Sequence, residues 1–403
     1  MDTDVRATVV DGEPSTSDDV AAAAVALTAD LVAIDSVNPG LVPGAAGEAA
    51  IVEHLEARLR RSGFDTHVVA PPDRDDRPSL VALGPVGPGP SGPTVVLTGH
   101  VDTVGVDGMA EPFTPVVDGD RMTGRGTSDM KAGVASMVVA AEALAAAGTP
   151  GRVVLALVAD EEDASLGTEA VLAALPGLGV RPDVAVIGEP TWLAPTASLR
   201  GYALVEVLLE GRAAHSSQPE LGVNAVTHLG RLLAAVEARH HDLPDPRGSL
   251  MVTVATGGDS PFVLARTARA VVERRTVPGE SATDALAEVE ALLDDLRAAD
   301  PTVAATATLT MSREAWRANE TGPAATLTAD LVAALGDLAG EPLHAPYWME
   351  APIWQDAGVP TLVCGPAGGG LHAADEWVDL GQVRAYARAL VAAVSTWSAR
   401  HAD

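Results

Sequence analysis

Val95-Val96-Leu97-Thr98-Gly99-His100-Val101-Asp102-Thr103-Val104 is the stretch around which the chain is organised. It begins as a β-branched apolar run of the kind that forms a buried central strand. The run breaks at Thr98-Gly99 and then presents His100 and Asp102, two residues apart, so that in extended chain both side chains point to one face. A carboxylate beside an imidazole holds the ring in one tautomer and orientation, as a metal-ligating histidine requires. The same pair also suits an ordinary hydrogen-bonded histidine at a strand end. The rest of the chain decides between these readings.

Working outward, apolar segments at 64–69, 79–83, 152–159 and 183–187 read as strands. Helical periodicity covers 17–34, 48–61 and 168–174, and an Ala-rich helix runs to 147 from the loop Gly124-Arg125-Gly126-Thr127-Ser128-Asp129-Met130-Lys131. This alternation predicts an α/β sheet with helices on both faces. Near Arg200 the texture changes. A strand at 202–209, a helix at 223–239, strands at 250–256 and 268–274, a helix at 282–298 and a strand near 303–311 give the order βαββαβ of a ferredoxin-like domain. The α/β pattern resumes with a helix at 324–338, a strand at 361–365 and a terminal helix at 380–400. The expected division is a catalytic domain in two parts, 1–199 and 313–403, interrupted by an inserted domain at 200–312. The first fifteen residues read as a frayed leader.

A chain of 403 residues with 47% hydrophobic content can bury a sizeable core and fill two domains. Its formal charge of −29 argues against nucleic acid or an anionic membrane surface as a partner. The single cysteine, Cys364, excludes an intramolecular disulfide, falls in an expected buried strand and fits a reducing compartment. The N-terminus lacks the basic flank and apolar core of a signal peptide, and no run has the length and apolarity of a membrane span. A cytoplasmic location is the expectation.

His100, Asp102, Asp129, Glu161, Glu162, Glu189 and His372 all fall at or just beyond the carboxyl ends of expected strands, or in loops that follow them. Open α/β sheets place their sites there. A charged residue directly after a buried strand is costly unless something compensates it, and a metal ion does so. Taken singly, each has an ordinary reading. Asp160-Glu161-Glu162-Asp163 reads as a solvated acidic loop, Asp129 as a carboxylate at a helix N-terminus, Glu189-Pro190 as a turn, and His372 as a residue of a glycine-rich loop. Their joint occurrence in this order argues for one site.

Five motifs carry a resemblance: Gly99-His100-Val101-Asp102-Thr103-Val104, Gly126-Thr127-Ser128-Asp129-Met130-Lys131, Asp160-Glu161-Glu162, Gly188-Glu189-Pro190-Thr191 and Gly370-Leu371-His372-Ala373-Ala374-Asp375-Glu376. Ala214-His215-Ser216-Ser217-Gln218-Pro219 and Gly222-Val223-Asn224-Ala225 add to it from the inserted domain. With this ordered set the chain resembles the di-zinc metallopeptidase and deacylase family of acetylornithine deacetylase, succinyl-diaminopimelate desuccinylase and glutamate carboxypeptidase. The resemblance runs from about Asp18 to the C-terminus. It implies a zinc-peptidase-like catalytic domain with a mixed central sheet flanked by helices, and an inserted α+β ferredoxin-like lid or dimerisation domain.

Carried over residue by residue, the resemblance implies two zinc ions. Asp129 would bridge them, His100 and Glu189 would complete one site, and Glu162 and His372 the other. Asp102 would orient His100. Glu161 would not ligate; it would take a proton from the bridging water and pass it to the leaving nitrogen. Histidine and carboxylate ligands suit zinc, with cobalt or manganese able to substitute. His215 would donate to the carbonyl oxygen as it gains charge, and relatives that dimerise supply this histidine from the partner subunit, so a homodimer is expected. Arg275, in Glu273-Arg274-Arg275-Thr276-Val277-Pro278-Gly279-Glu280, resembles the arginine that clamps the substrate carboxylate, with Arg274 the alternative by strand parity. Asn224 is the second expected substrate-binding residue. One departure stands out: Gly257-Gly258-Asp259-Ser260-Pro261-Phe262 lacks the Asn that many relatives carry two residues before the proline.

The implied function is hydrolysis of the amide bond of an N-acyl amino acid by a metal-bridged hydroxide, as in acetylornithine deacetylase or succinyl-diaminopimelate desuccinylase. A carboxypeptidase or dipeptidase using the same site, with a short peptide as substrate, is the alternative. A catalytically silent relative that binds a metal or an amino acid is a further one.

Overall fold

A computed structural model describes residues 17–88, 92–244 and 248–402; the expected frayed leader lies outside the described residues. The backbone divides into two compact units. One comprises the described residues up to Thr196 with Ala318–Leu343 and those from Ile353 onward. The other comprises Ala197–Arg317 with His344–Pro352.

The first unit is built on a six-stranded mixed sheet in the order Asp65–Val69, Ser79–Leu83, Arg152–Val158, Thr94–His100, Val184–Ile187, Thr361–Val363. The last four strands run parallel, and the first two are antiparallel additions at one edge. Val95, Val96 and Leu97 are fully buried at its centre, as their apolar run requires. The Ala132–Ala146 helix buries eleven of its fifteen residues. Its unburied residues, Glu142 among them, lie toward its C-terminus, and the buried length packs with Ser17–Val32 and Leu380–Arg400 over one sheet face. Asp379 caps the terminal helix by accepting the N–H groups of Gly381 and Gln382.

A four-stranded sheet lies outside the sequence expectations. Its order is Gly368–Gly369, Trp377–Asp379, Arg121–Thr123, Val116–Asp118. Strands of two or three residues carry no readable periodicity, and their partners come from distant parts of the chain. The consequence for the site is direct: the residues leading into the Asp129 loop pair with those leaving the His372 loop, Thr123 against Trp377 and Met122 against Val378.

The second unit has the βαββαβ order of the sequence reading. Its antiparallel sheet runs Ser249–Gly257, Thr267–Thr276, Gly201–Glu210, Ala304–Arg313, with helices Ala225–His241 and Ala282–Ala299. Strand alternation sends Val205, Val207 and Leu209, with Ala268, Ala270 and Val272, into a core shared with those helices. The first of the helices begins two residues later than expected because Asn224 caps it.

Candidate metal centre

Three of the parallel strands of the first unit, Thr94–His100, Arg152–Val158 and Val184–Ile187, deliver site side chains at or just beyond their carboxyl ends. His100 is the last residue of its strand and is 1% exposed. Its Nδ1–H donates to the main-chain carbonyl of Asp102 at 3.0 Å, with Asp102 Oδ1 3.6 Å away. With Nδ1 held by this carbonyl, Nε2 is the nitrogen turned toward the cluster, and a metal ion would take the place of its proton. Nε2 lies 3.1 Å from Asp129 Oδ1, 3.9 Å from Glu189 Oε2 and 4.0 Å from Glu161 Oε2. Glu189 follows the Val184–Ile187 strand and is buried.

Asp129 sits in the glycine-rich loop, where its backbone leaves the helical region at φ −117°, ψ 95°. Its second oxygen, Oδ2, is 3.3 Å from His372 Nε2, and the same nitrogen is 3.1 Å from Glu162 Oε2. Two donor sets result: His100, Asp129 and Glu189 in one, Asp129, Glu162 and His372 in the other, each with its ligand atoms within 4.8 Å of one another. Asp129 belongs to both. Glu161 belongs to neither.

These donors fit a pair of cations. Glu162 Oε1 is buried with no hydrogen-bond partner, an acceptor that a metal ion would satisfy. Burial opposes ionisation of Asp129, yet the hydrogen bonds from His100 and His372 outweigh it and hold that carboxyl below its usual range. Hydrogen bonds to Asp129 and Glu162 push the His372 imidazole up to about 10. Burial, then the Asp129 charge, raises the Glu162 carboxyl. The cluster draws protons toward itself to balance its carboxylates, and divalent ions answer the same demand. Two imidazoles and three carboxylates form a nitrogen and oxygen donor set suited to zinc, cobalt or manganese.

Behind the donors lies a buried polar network. Asp102 accepts the main-chain N–H groups of Glu161 and Glu162 and the side-chain amide of Asn38 at 2.7 Å. Asn38 also donates to Asp160 Oδ1 at 3.2 Å. Arg77, 1% exposed, pairs with Asp160 at 2.7 Å and with Glu48. Glu376 accepts from Arg125 Nη1 and from the main-chain N–H groups of Gly126, Ser128 and Asp129. Sequence reasoning missed Asn38, Glu48, Arg77 and Arg125. Each meets its partner only through the fold, so no local spacing announces it. Glu376 stood inside the His372 motif, and its position there was the one available signal.

His215, Asn224 and Arg275 belong to the second unit. His215 is exposed, and its Nδ1 accepts the main-chain N–H of Ser217 at 3.2 Å, beside the Ser217 hydroxyl at 2.8 Å. An accepting Nδ1 keeps the proton of a neutral ring on Nε2. Asn224 Oδ1 accepts the N–H groups of Val226 and Ala265, so its carbonyl oxygen is engaged as a helix cap. Arg274 is buried between Glu280 and Glu288, 2.8 Å from each. Arg275 is half-buried on the opposite sheet face, paired with Glu273 and 5.3 Å from the Tyr202 ring centroid.

Residues 96–396 match the model of peptidase family M20/M25/M40. Acetylornithine deacetylase of Proteus mirabilis is 28% identical over 366 residues, covering 87% of this chain and 90% of its own. Succinyl-diaminopimelate desuccinylase of Cereibacter sphaeroides is 31% identical over 379 residues, covering 89% and 94%. Among solved structures, a Staphylococcus aureus tripeptidase superposes with a TM-score of 0.77 at 18% identity, over 94% of this chain and 99% of that one. At that identity the likeness concerns the fold alone.

Proposed function

The chain belongs to peptidase family M20/M25/M40, which makes it a hydrolase of amide or peptide C–N bonds, and we propose that it removes the acyl group of an N-acyl amino acid with two zinc ions. The observation that carries this reading is Asp129, which offers one carboxylate oxygen to each of two donor sets. What a zinc pair supplies when bound is polarisation of the substrate carbonyl and a water of lowered pKa.

Glu161 is the proposed general base. Its backbone is held by Asp102, its neighbour Glu162 lies in a donor set, and its own carboxylate stays outside both sets. From that position it accepts a proton from the attacking water and returns it to the leaving nitrogen, so the amide C–N bond breaks to give a carboxylate and an amine. His215, by the resemblance, donates from Nε2 to the carbonyl oxygen as it becomes an oxyanion. The Ser217 hydrogen bond supports that tautomer. Arg275 is the better choice for the substrate carboxylate, because Arg274 is buried in ion pairs. Asn224 would contribute through its side-chain N–H group.

A homodimer formed through the second unit belongs to the same reading. Its edge strand and the adjoining helix expose Met251, Val254, Val226 and Leu233. A cytoplasmic location is also proposed, on the buried, unpaired Cys364; no helix among the described residues is long and apolar enough to cross a membrane. Deacylase activity is favoured over peptidase activity because the deacetylase and desuccinylase relatives match at 28–31% identity over nearly the full chain.

The test is a hydrolysis panel of N-acetyl, N-succinyl and N-carbamoyl amino acids beside dipeptides, run with zinc-loaded and metal-free protein. Zinc-dependent release of free amino acid from one acyl class supports the proposal. Turnover of dipeptides alone would replace it with a peptidase.

A further inference from the structure

We propose that Arg125 and Glu376 form a clamp that positions the metal centre, setting the placement of Asp129 relative to His372 and so the affinity of the site these two share with Glu162. The proposal rests on the metal-binding reading above and adds a role for two residues outside both donor sets.

Glu376 is 1% exposed, and each of its oxygens has two donors. Oε2 accepts from Arg125 Nη1 at 2.6 Å and from the Gly126 N–H at 2.9 Å. Oε1 accepts from the Ser128 N–H at 2.9 Å and the Asp129 N–H at 3.0 Å. Three main-chain N–H groups of this irregular loop thus find their acceptor in one buried carboxylate. The hydrogen bond to Asp129 acts on the backbone of the shared ligand itself.

Arg125 carries the restraint across to the other loop. It is 2% exposed, and its Nη2 donates to the carbonyl of Ala373, the residue after His372, at 3.2 Å. Its Nε donates to the Gly105 carbonyl at 3.0 Å. Glu376 lies four residues beyond His372, and the pairing of Trp377 with Thr123 adds a backbone tie beside it. The two loops are thus joined through one buried ion pair.

His372 needs such a tie more than His100 does. The His100 side chain is fully buried on a central strand, whereas the His372 side chain is 54% exposed and lies two residues beyond the run Gly368-Gly369-Gly370. A ligand on an irregular, exposed loop must be ordered when the ion binds unless something orders it beforehand. Holding the loop in advance raises affinity without touching the ion.

The test compares zinc affinity in folded, metal-free Glu376→Gln and Arg125→Lys with the wild type, by chelator competition well below each melting temperature. In Glu376→Gln an NH2 group faces main-chain N–H donors. Arg125→Lys keeps the charge but loses the fork that reaches Ala373. The ion held by Asp129, Glu162 and His372 should fall in affinity by about 10–100-fold, the usual effect of partners that orient ligands. With His372→Ala as background, Glu376→Gln should change zinc affinity much less. Lower melting temperatures with both zinc affinities unchanged would overturn the proposal, since they describe a purely structural pair. Should Glu376→Gln fail to fold, Arg125→Lys decides alone. Absence of zinc binding in the wild type would instead refute the metal-centre reading.

Discussion

Asp102 Oδ1 accepts the main-chain N–H of Glu161 at 3.2 Å, while Asp102 Oδ2 accepts that of Glu162 at 3.3 Å. A carboxylate at the end of the central strand thereby fixes two successive residues after the neighbouring strand. One of them lies in a donor set and the other is the proposed base. The closer partner of His100 Nδ1 is the Asp102 carbonyl rather than its carboxylate. The side chain orients the acidic loop as much as the imidazole.

Asp102→Asn places an NH2 group where two N–H donors already point. Zinc affinity should fall by about 10–100-fold, and turnover should drop even at saturating zinc because Glu161 moves. Titration of zinc against activity checks both. Wild-type turnover at saturating zinc would mean that Asp102 acts on the metal ligands alone.

Arg77 is the buried guanidinium between Glu48 and Asp160. Arg77→Met would leave two carboxylates buried without their cation, and removing one partner of a buried pair costs roughly 3–5 kcal/mol. Urea unfolding should show a large fall in midpoint with little change in slope. An unchanged midpoint would show that water reaches the network.

Gly133 and Gly230 form a matched pair of helical glycines. A Cβ at Gly133 would lie 2.0 Å from the carbonyl oxygen of Gly188, beside Glu189, whereas one at Gly230 meets nothing within 4 Å. Gly133→Ala should destabilise by about 1–3 kcal/mol through overpacking and weaken zinc held by Glu189. Gly230→Ala, in an exposed helical position, should stabilise by about 0.5–1 kcal/mol. Thermal unfolding of both variants checks the opposite signs.

Cys364 is 1% exposed, and burial pushes its thiol up to about 12 from a reference of 9.0. Thiol reagents at pH 8 should leave the folded protein unmodified and label one site per chain after unfolding. The linkage has a definite sign. Between about pH 9 and 12 the folded state keeps a proton that the unfolded state releases. The contribution to stability is present below that window and is lost as pH rises through it.

Much of this site is legible in the sequence because strand ends are local. An apolar run followed by His100, by Glu161-Glu162 or by Glu189 marks both an element and its exit, and exits from parallel strands converge. The βαββαβ order of the second unit is readable for the same reason, since its strands and helices are long enough to show their periods. Arg77, Asn38 and Arg125 are not legible. Each is an ordinary polar residue until the fold brings a buried carboxylate to it. The sheet of two- and three-residue strands that joins the 121–123 and 377–379 segments is hidden likewise, being fixed by tertiary packing.

The central claim is that Asp129 joins two ion sites served by a base that binds neither ion. Glu161→Gln tests it most directly when zinc content and turnover are measured on the same sample. The account predicts two zinc ions per chain, as in the wild type, with turnover of the best N-acyl amino acid lower by roughly 10²–10⁴-fold. Loss of zinc from this variant, or wild-type turnover in it, would contradict the account.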